Sequence, residues 1–231
     1  MVKPRKGARE DTRGAAIPPL EALAARLESA LGRPLPGRAA QERMSPRQPG
    51  GDPLHPSREP DPRALPAAGL VLLYLRDARP CFLLTVRSSD LPTHPGQVGL
   101  PAGMMDPGET PLDAALRETR EEIGVQSGDL RVLGALTPIF IPPTRILLHP
   151  FVAVARRPLA FRAHAAEVAR ILEIPLDALL DPTSIRSEPR RLQAGQAVVP
   201  YFWFEGEKIW GATAMVLAEL GAVLEGGFRE P

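Results

Sequence analysis

The spacing of apolar residues changes along this chain, and each change predicts an element. From residue 18 to 31 they recur every three or four positions, at Leu20, Leu23, Ala24, Leu27 and Leu31, with Pro18 near the start and Gly32 and Pro34 behind. That pattern predicts a helix stopped by the glycine and proline. Residues 69–75 and 81–86 are β-like apolar runs and are expected to form strands. The polar stretch from Arg76 to Pro80 between them predicts a turn. Further strands are expected over 130–136, 147–155, 168–174 and 198–204. Helices are expected over Pro111–Ile123, Leu176–Leu180 and 212–224. The two kinds of element mix without a repeating strand–helix–strand unit, and no internal repeat is visible.

Composition refines this picture. Proline supplies 28 of 231 residues, about 12% against a usual ~5%, and eight prolines fall between Arg33 and Ala64. A stretch so rich in proline forms no regular ladder, so residues 33–64 read as a linker or irregular wrap and residues 1–16 as a mobile basic tail. The chain therefore divides into an N-terminal part, 1–62 (tail, short helix and Pro-rich linker), and a folded body, 63–231. The N-terminal part carries eleven basic and eight acidic side chains. That small excess, with a net charge of +1 overall, argues against a nucleic-acid partner. The longest apolar run is nine residues, 67–75, well short of the ~20 needed to cross a membrane. The basic start has no apolar stretch behind it, so a cytoplasmic protein is expected. Cys81 is the one cysteine, which excludes an internal disulfide and a thiolate zinc cluster; within an apolar strand it reads as core.

Chemistry concentrates between Gly103 and Val125. Thr110-Pro111-Leu112-Asp113 is a helix start, with a hydroxyl cap and proline in the first turn, and Gly124 is a helix stop. On that helix Leu112, Ala115, Leu116, Thr119 and Ile123 share one stripe. Glu118, Glu121 and Glu122 lie beside it as i, i+3 and i, i+4 neighbours. Like charges so placed cost roughly 0.2–0.5 kcal/mol per pair, which Mg²⁺ or Mn²⁺ on carboxylate oxygens would relieve. A bare pair-and-one of glutamates reads more often as a solvated acidic face, here partnered by Arg117 and Arg120. The full spacing is far more specific: Gly103, Glu109, Arg117, Glu118, Glu121, Glu122 and Gly124 match by chance less than about once in ten thousand chains of average composition.

This segment resembles the Nudix box, Gly-x5-Glu-x7-Arg-Glu-U-x-Glu-Glu-x-Gly-U, with Thr119 where the first large apolar residue stands. The resemblance implies an α/β (α+β) fold: a Nudix-like αβα sandwich with a mixed sheet, here preceded by an N-terminal helix and a Pro-rich irregular segment. It implies a pyrophosphohydrolase that cleaves a nucleoside diphosphate linked to another group, using Mg²⁺ or Mn²⁺. By motif position Glu118, Glu121, Glu122 and the backbone carbonyl of Ala102 would hold the metal, and Glu109 and Arg117 would form the buried pair that orients the helix. Upstream, Leu83-Leu84-Thr85-Val86-Arg87-Ser88, His94-Pro95-Gly96-Gln97 and Pro101-Ala102-Gly103 resemble the coenzyme A pyrophosphatase branch, as do Ile209 to Ala214 and Glu167-Val168 downstream. Three positions depart from that branch: Pro92 stands for Arg, Leu100 for Phe and Ala102 for Gly.

The resemblance implies a small nucleotide substrate, coenzyme A foremost, with 3′,5′-ADP and 4′-phosphopantetheine as products. ADP-ribose, NADH or a nucleoside triphosphate, and a non-catalytic binding module, stay open, as does the oligomeric state, a homodimer included. Arg87, His94 and Gly103 are candidate substrate contacts. Glu167 is a candidate general base at a loop-to-strand junction, with Glu121 its rival. Trp203 and Trp210 read as core, with stacking on adenine the minority alternative. Residues 140–143, rigid with two prolines, are a candidate lid. His149 and His164 lack zinc-pair spacing.

Overall fold

The computed structural model describes residues 19–55 and 61–228. The expected tail, residues 1–16, and Pro18 lie outside the described residues. In chain order the elements are α1 (Leu20–Leu31), α2 (Gly37–Gln41), β1 (Leu65–Arg76), β2 (Arg79–Arg87), β3 (Val98–Gly99), β4 (Ala102–Met104), α3 (Pro111–Ile123), β5 (Leu130–Ala135), β6 (Ile139–Ile141), β7 (Ile146–Ala155), β8 (Val168–Pro175), α4 (Leu176–Leu180), β9 (Ile185–Leu192), β10 (Gly195–Phe204), β11 (Glu207–Trp210) and α5 (Gly211–Phe228).

β1 is the axis of a mixed eight-stranded sheet. It runs antiparallel to β2 and parallel to β7. β8 and β3 pair with β2, β5 and β6 pair with β7, and β4 folds back antiparallel on β1. β1 is buried from Ala67 to Tyr74, because helices cover both faces. Ala67, Val71 and Leu73 join a core with α1, α4 and α5. Ala68, Leu70, Leu72 and Tyr74 alternate to the other face and meet Ala114, Ala115 and Ile123 of α3. The result is an αβα sandwich. The β1–β2 turn is a two-residue hairpin in which Asp77 and Ala78 both have positive φ, 49° and 61°, the twist such a tight hairpin needs.

The Pro-rich stretch is more ordered than its composition predicts. It holds α2 and a 3₁₀ turn, Glu42–Met44, whose Met44 is fully buried. The carboxylate of Glu219 in α5, with no exposure to solvent, ties this stretch down. It accepts hydrogen bonds from Gly37 N (3.1 Å), Gln41 Nε2 (2.9 Å) and Thr137 Oγ1 (2.6 Å).

β9, β10 and β11 form a separate antiparallel sheet. β9 was not expected, since Ile-Arg-Ser-Glu-Pro-Arg-Arg-Leu has no apolar alternation; strand pairing with β10 supplies its structure. Trp203 and Trp210 are corrected here: both are half-buried on the outer face of this sheet rather than in the core. Of the expected lid at 140–143, Phe140 and Ile141 belong to β6, which pairs with β7, and Ile141 and Pro143 line a cleft.

Candidate functional site

The helix that carries the acidic cluster starts and stops where its local chemistry dictates. Thr110 Oγ1 accepts from Asp113 N at 3.2 Å, Pro111 opens the first turn, and Gly124 ends the helix with φ 76°. Its buried face is Ala114, Ala115, Thr119, Glu122 and Ile123. Leu112 and Leu116, expected on that stripe, are only half-buried. Thr119 tolerates full burial because its hydroxyl donates to Ala115 O at 2.7 Å.

The helix rotation gives the three glutamates different surroundings. Glu122 is 4% exposed. Its Oε1 accepts from Ala102 N at 3.3 Å and its Oε2 from Thr85 Oγ1 at 3.2 Å. Burial pushes its carboxyl up to about 7; those two hydrogen bonds and the Arg87 charge oppose the shift, and the Glu118 charge adds to it. Glu118 is also raised, chiefly by burial, against the hydrogen bond from Arg117 and with the Glu121 and Glu167 charges adding. Its carboxylate lies over Gly103, where a Cβ would stand 2.2 Å from Glu118 Oε1. Glu121 is more exposed and pairs with Arg117 Nη1 at 3.1 Å and Arg120 Nη2 at 3.2 Å.

Arg117 organises this cluster. It grips Glu109 with two parallel bonds, Nε to Oε1 at 2.9 Å and Nη2 to Oε2 at 3.0 Å. It also reaches Glu118 Oε1 at 2.6 Å and Met104 O at 2.9 Å. The Arg117 bonds, then the Asp106 N–H, hold the Glu109 carboxyl below its ordinary value. The same pairing, Glu109 first, raises Arg117.

Arg87, at the end of β2, lies close enough to Glu122 for its charge to act there. His94, at φ 56°, turns the loop that returns to β2; Gly96 N donates to Arg87 O at 3.2 Å. Glu167 faces Glu118 electrostatically, and its backbone carbonyl accepts from Ser88 N at 2.8 Å. Its carboxylate lies 3.4 Å from His164 Nδ1. The loop before β8 caps the glutamate helix: His164 N donates to Glu122 O at 2.9 Å.

Beside these groups opens a cleft of about 400 Å³. Arg87, His94 and Ala102 line one end; Ile141, Ile146 and Met215 represent its largely apolar walls. Pro46 and His55 of the Pro-rich stretch also line it, as does the β9–β10 turn at Gln193. Sequence reasoning did not find these walls, since no local pattern links segments so far apart in the chain.

Among the described residues no three His, Cys, Asp or Glu side chains form a ready-made metal cage, because Arg117 draws Glu118 and Glu121 toward itself. The donor chemistry nevertheless fits a hard divalent cation. The donors are carboxylate oxygens, two of them buried enough to be raised by desolvation and raised further by neighbouring like charge. Zinc-type nitrogen and sulfur donors are absent from this cluster.

A profile of the NUDIX domain matches residues 64–193. The chain belongs to the Nudix family. Its sequence is similar to a protein of Photorhabdus laumondii named as an uncharacterized Nudix hydrolase, NudL, at 34% identity over 154 residues, 66% of this chain and 82% of that one. A Citrobacter koseri protein of the same name is 34% identical over 161 residues, 66% of this chain and 80% of its own. Among solved structures, a binary complex of the Caenorhabditis elegans Ap4A hydrolase is 26% identical, with a TM-score of 0.42, over 48% of this chain and 80% of that one. This Nudix chain is thus an enzyme of the pyrophosphohydrolase class. The Nudix-box residues are the ones that surround Arg117 and Glu122.

Proposed function

We propose that this Nudix hydrolase cleaves the phosphoanhydride of coenzyme A, releasing 3′,5′-ADP and 4′-phosphopantetheine. The observation that carries this reading is the cleft's polarity. Arg87, His94 and Ala102, whose N–H donates to the buried Glu122, line it together with largely apolar walls. A substrate with a diphosphate at one end of a long uncharged arm matches that division. The sequence resemblance upstream of the box points the same way.

Glu118, Glu122 and the Ala102 carbonyl would hold Mg²⁺ or Mn²⁺, with Glu121 in reach of the same cation. Such a cation neutralises diphosphate charge and acidifies water. Arg87 binds a phosphate oxygen and orients the diphosphate; His94 shapes the loop beside it. Glu167 takes the proton from the attacking water. Glu121 is less suited to that step because Arg117 and Arg120 already hold its carboxylate. Arg117 and Glu109 position Glu118, and Gly103 leaves room for it. The apolar walls exclude bulk water, which strengthens each charge interaction.

The test is hydrolysis of coenzyme A with Mg²⁺ or Mn²⁺, products resolved by chromatography, with Glu122→Gln as control. ADP-ribose, NADH and a deoxynucleoside triphosphate mixture run in parallel. Appearance of 3′,5′-ADP with the wild type and its loss in the variant supports the reading. Cleavage of another substrate with coenzyme A untouched overturns it.

A further inference from the structure

The outer face of the β9–β11 sheet carries a dense grid of cationic and aromatic side chains. Arg186, Glu188 and Arg190 lie opposite Tyr201, Val199 and Ala197, while Trp203 and Tyr201 lie opposite Lys208 and Trp210. Strand alternation puts all of these on one face, and Phe202, Phe204 and Ile209 on the other, in the core. The Arg190 guanidinium lies 4.7 Å from the Trp210 ring centre, Arg186 lies 5.0 Å from Trp203, and Lys208 Nζ lies 5.3 Å from Tyr201. Glu188 bonds both Arg190 and Lys208, so the three cations outnumber it. Glu207, which lines a depression on this face, is held by Arg170.

This face forms a depression of about 410 Å³ lined by Gly96, Gln97, Arg190, Trp203, Lys208 and Trp210, among others. It shares Gln97 and Trp210 with the cleft described above, so one extended ligand can occupy both. A flat π-surface beside fixed cations suits a base and a phosphate together.

The geometry points to a second binding site on this face for a nucleoside carrying its own ester phosphate, the base against the indole–guanidinium surface and the phosphate on Arg190 and Lys208. Taking that nucleoside as the 3′-phosphorylated adenosine end of the substrate rests on the reading under Proposed function. The apolar cleft then takes the other arm, and the diphosphate crosses between them near Arg87.

Both tryptophans of the chain lie on this face, so intrinsic fluorescence reports the site without catalysis. The full chain, with a chelator present, is titrated with adenosine 3′,5′-bisphosphate, 5′-AMP and adenosine. Saturable quenching is expected, tightest for the bisphosphate. Arg190→Ala and Lys208→Ala should each weaken it about tenfold or more, and Trp210→Phe should remove a large part of the signal. If Arg190→Ala disturbs the fold, Lys208→Ala carries the test, since Lys208 is a flexible side chain on β11. Absence of saturable quenching, or equal affinity in wild type and Lys208→Ala, overturns the proposal. Quenching that persists while coenzyme A is not cleaved keeps this site and removes the reaction assignment. Cleavage of coenzyme A without quenching does the reverse.

Discussion

Glu122 and Gly103 make the sharpest residue-level predictions. Glu122→Gln keeps the shape and the acceptor for Ala102 N, but removes the negative charge. Hydrolysis should fall by about 10³-fold, while the metal-free variant melts at or above the wild-type temperature at pH 8, where the buried carboxylate of the parent is charged. Activity assays and a thermal melt check the two halves separately. Gly103→Ala puts a methyl group where Glu118 Oε1 now lies. The carboxylate must move, and displacement of about 1 Å at a reacting centre costs on the order of 10²-fold; kcat is the readout. His149 supplies the pH prediction. Burial lowers its pKa from the ordinary histidine value, so below that value the unfolded chain binds the proton more readily. The His149 contribution to stability should therefore be fully present above about pH 7 and shrink as pH falls below it, against the opposite contribution of the raised Glu122 carboxyl. Relative to the wild type, His149→Gln should gain stability between pH 8 and pH 5, as read by melts of both proteins at the two pH values. At this scale the sequence singled out Glu109, Arg117, Glu118 and Glu121, which the structure brings together through hydrogen bonds of Arg117. It did not show that Glu122 is buried while Glu121 is exposed, because the box spacing leaves the helix free to rotate; the packing of Ala114 and Ala115 on β1 sets that rotation.

At the scale of elements, local signals placed α3 and α4 to the residue and located the long strands. Caps and apolar runs are properties of a few adjacent residues, so they survive outside the fold. β9 escaped because its sequence is dominated by charge, and β3, β4 and β11 because two to four residues carry no periodicity. The Pro-rich stretch shows the opposite failure: its prolines suggested a loose linker, yet Met44 within it is buried in the main core together with Leu20, Leu23 and Leu27 of the expected helix. Gly134 is part of the reason, since a Cβ there would stand 2.9 Å from Leu31 Cβ. Four such side chains contribute about 1.5–3 kcal/mol each, comparable in sum to the whole stability of an ordinary domain. A chain beginning at Ala64 is therefore expected to lose cooperative unfolding, as followed by circular dichroism. Glu219→Ala would strand the donors of Gly37, Gln41 and Thr137. The expected cost is about 2–4 kcal/mol, a drop of roughly 5–15 °C in Tm.

Over the whole molecule, the sequence by itself determined the reactive segment, its helix and caps, the single buried cysteine and the Nudix family. Each of these is written in residues a few positions apart, where spacing alone fixes geometry. The tertiary structure alone decided which carboxylate is buried, which walls enclose the cleft and where the tryptophans face. Those depend on contacts between segments as distant as Pro46, Met104, Gln193 and Met215. Burial and neighbouring charge, which set the proton affinity of Glu122, exist only once those segments have packed together.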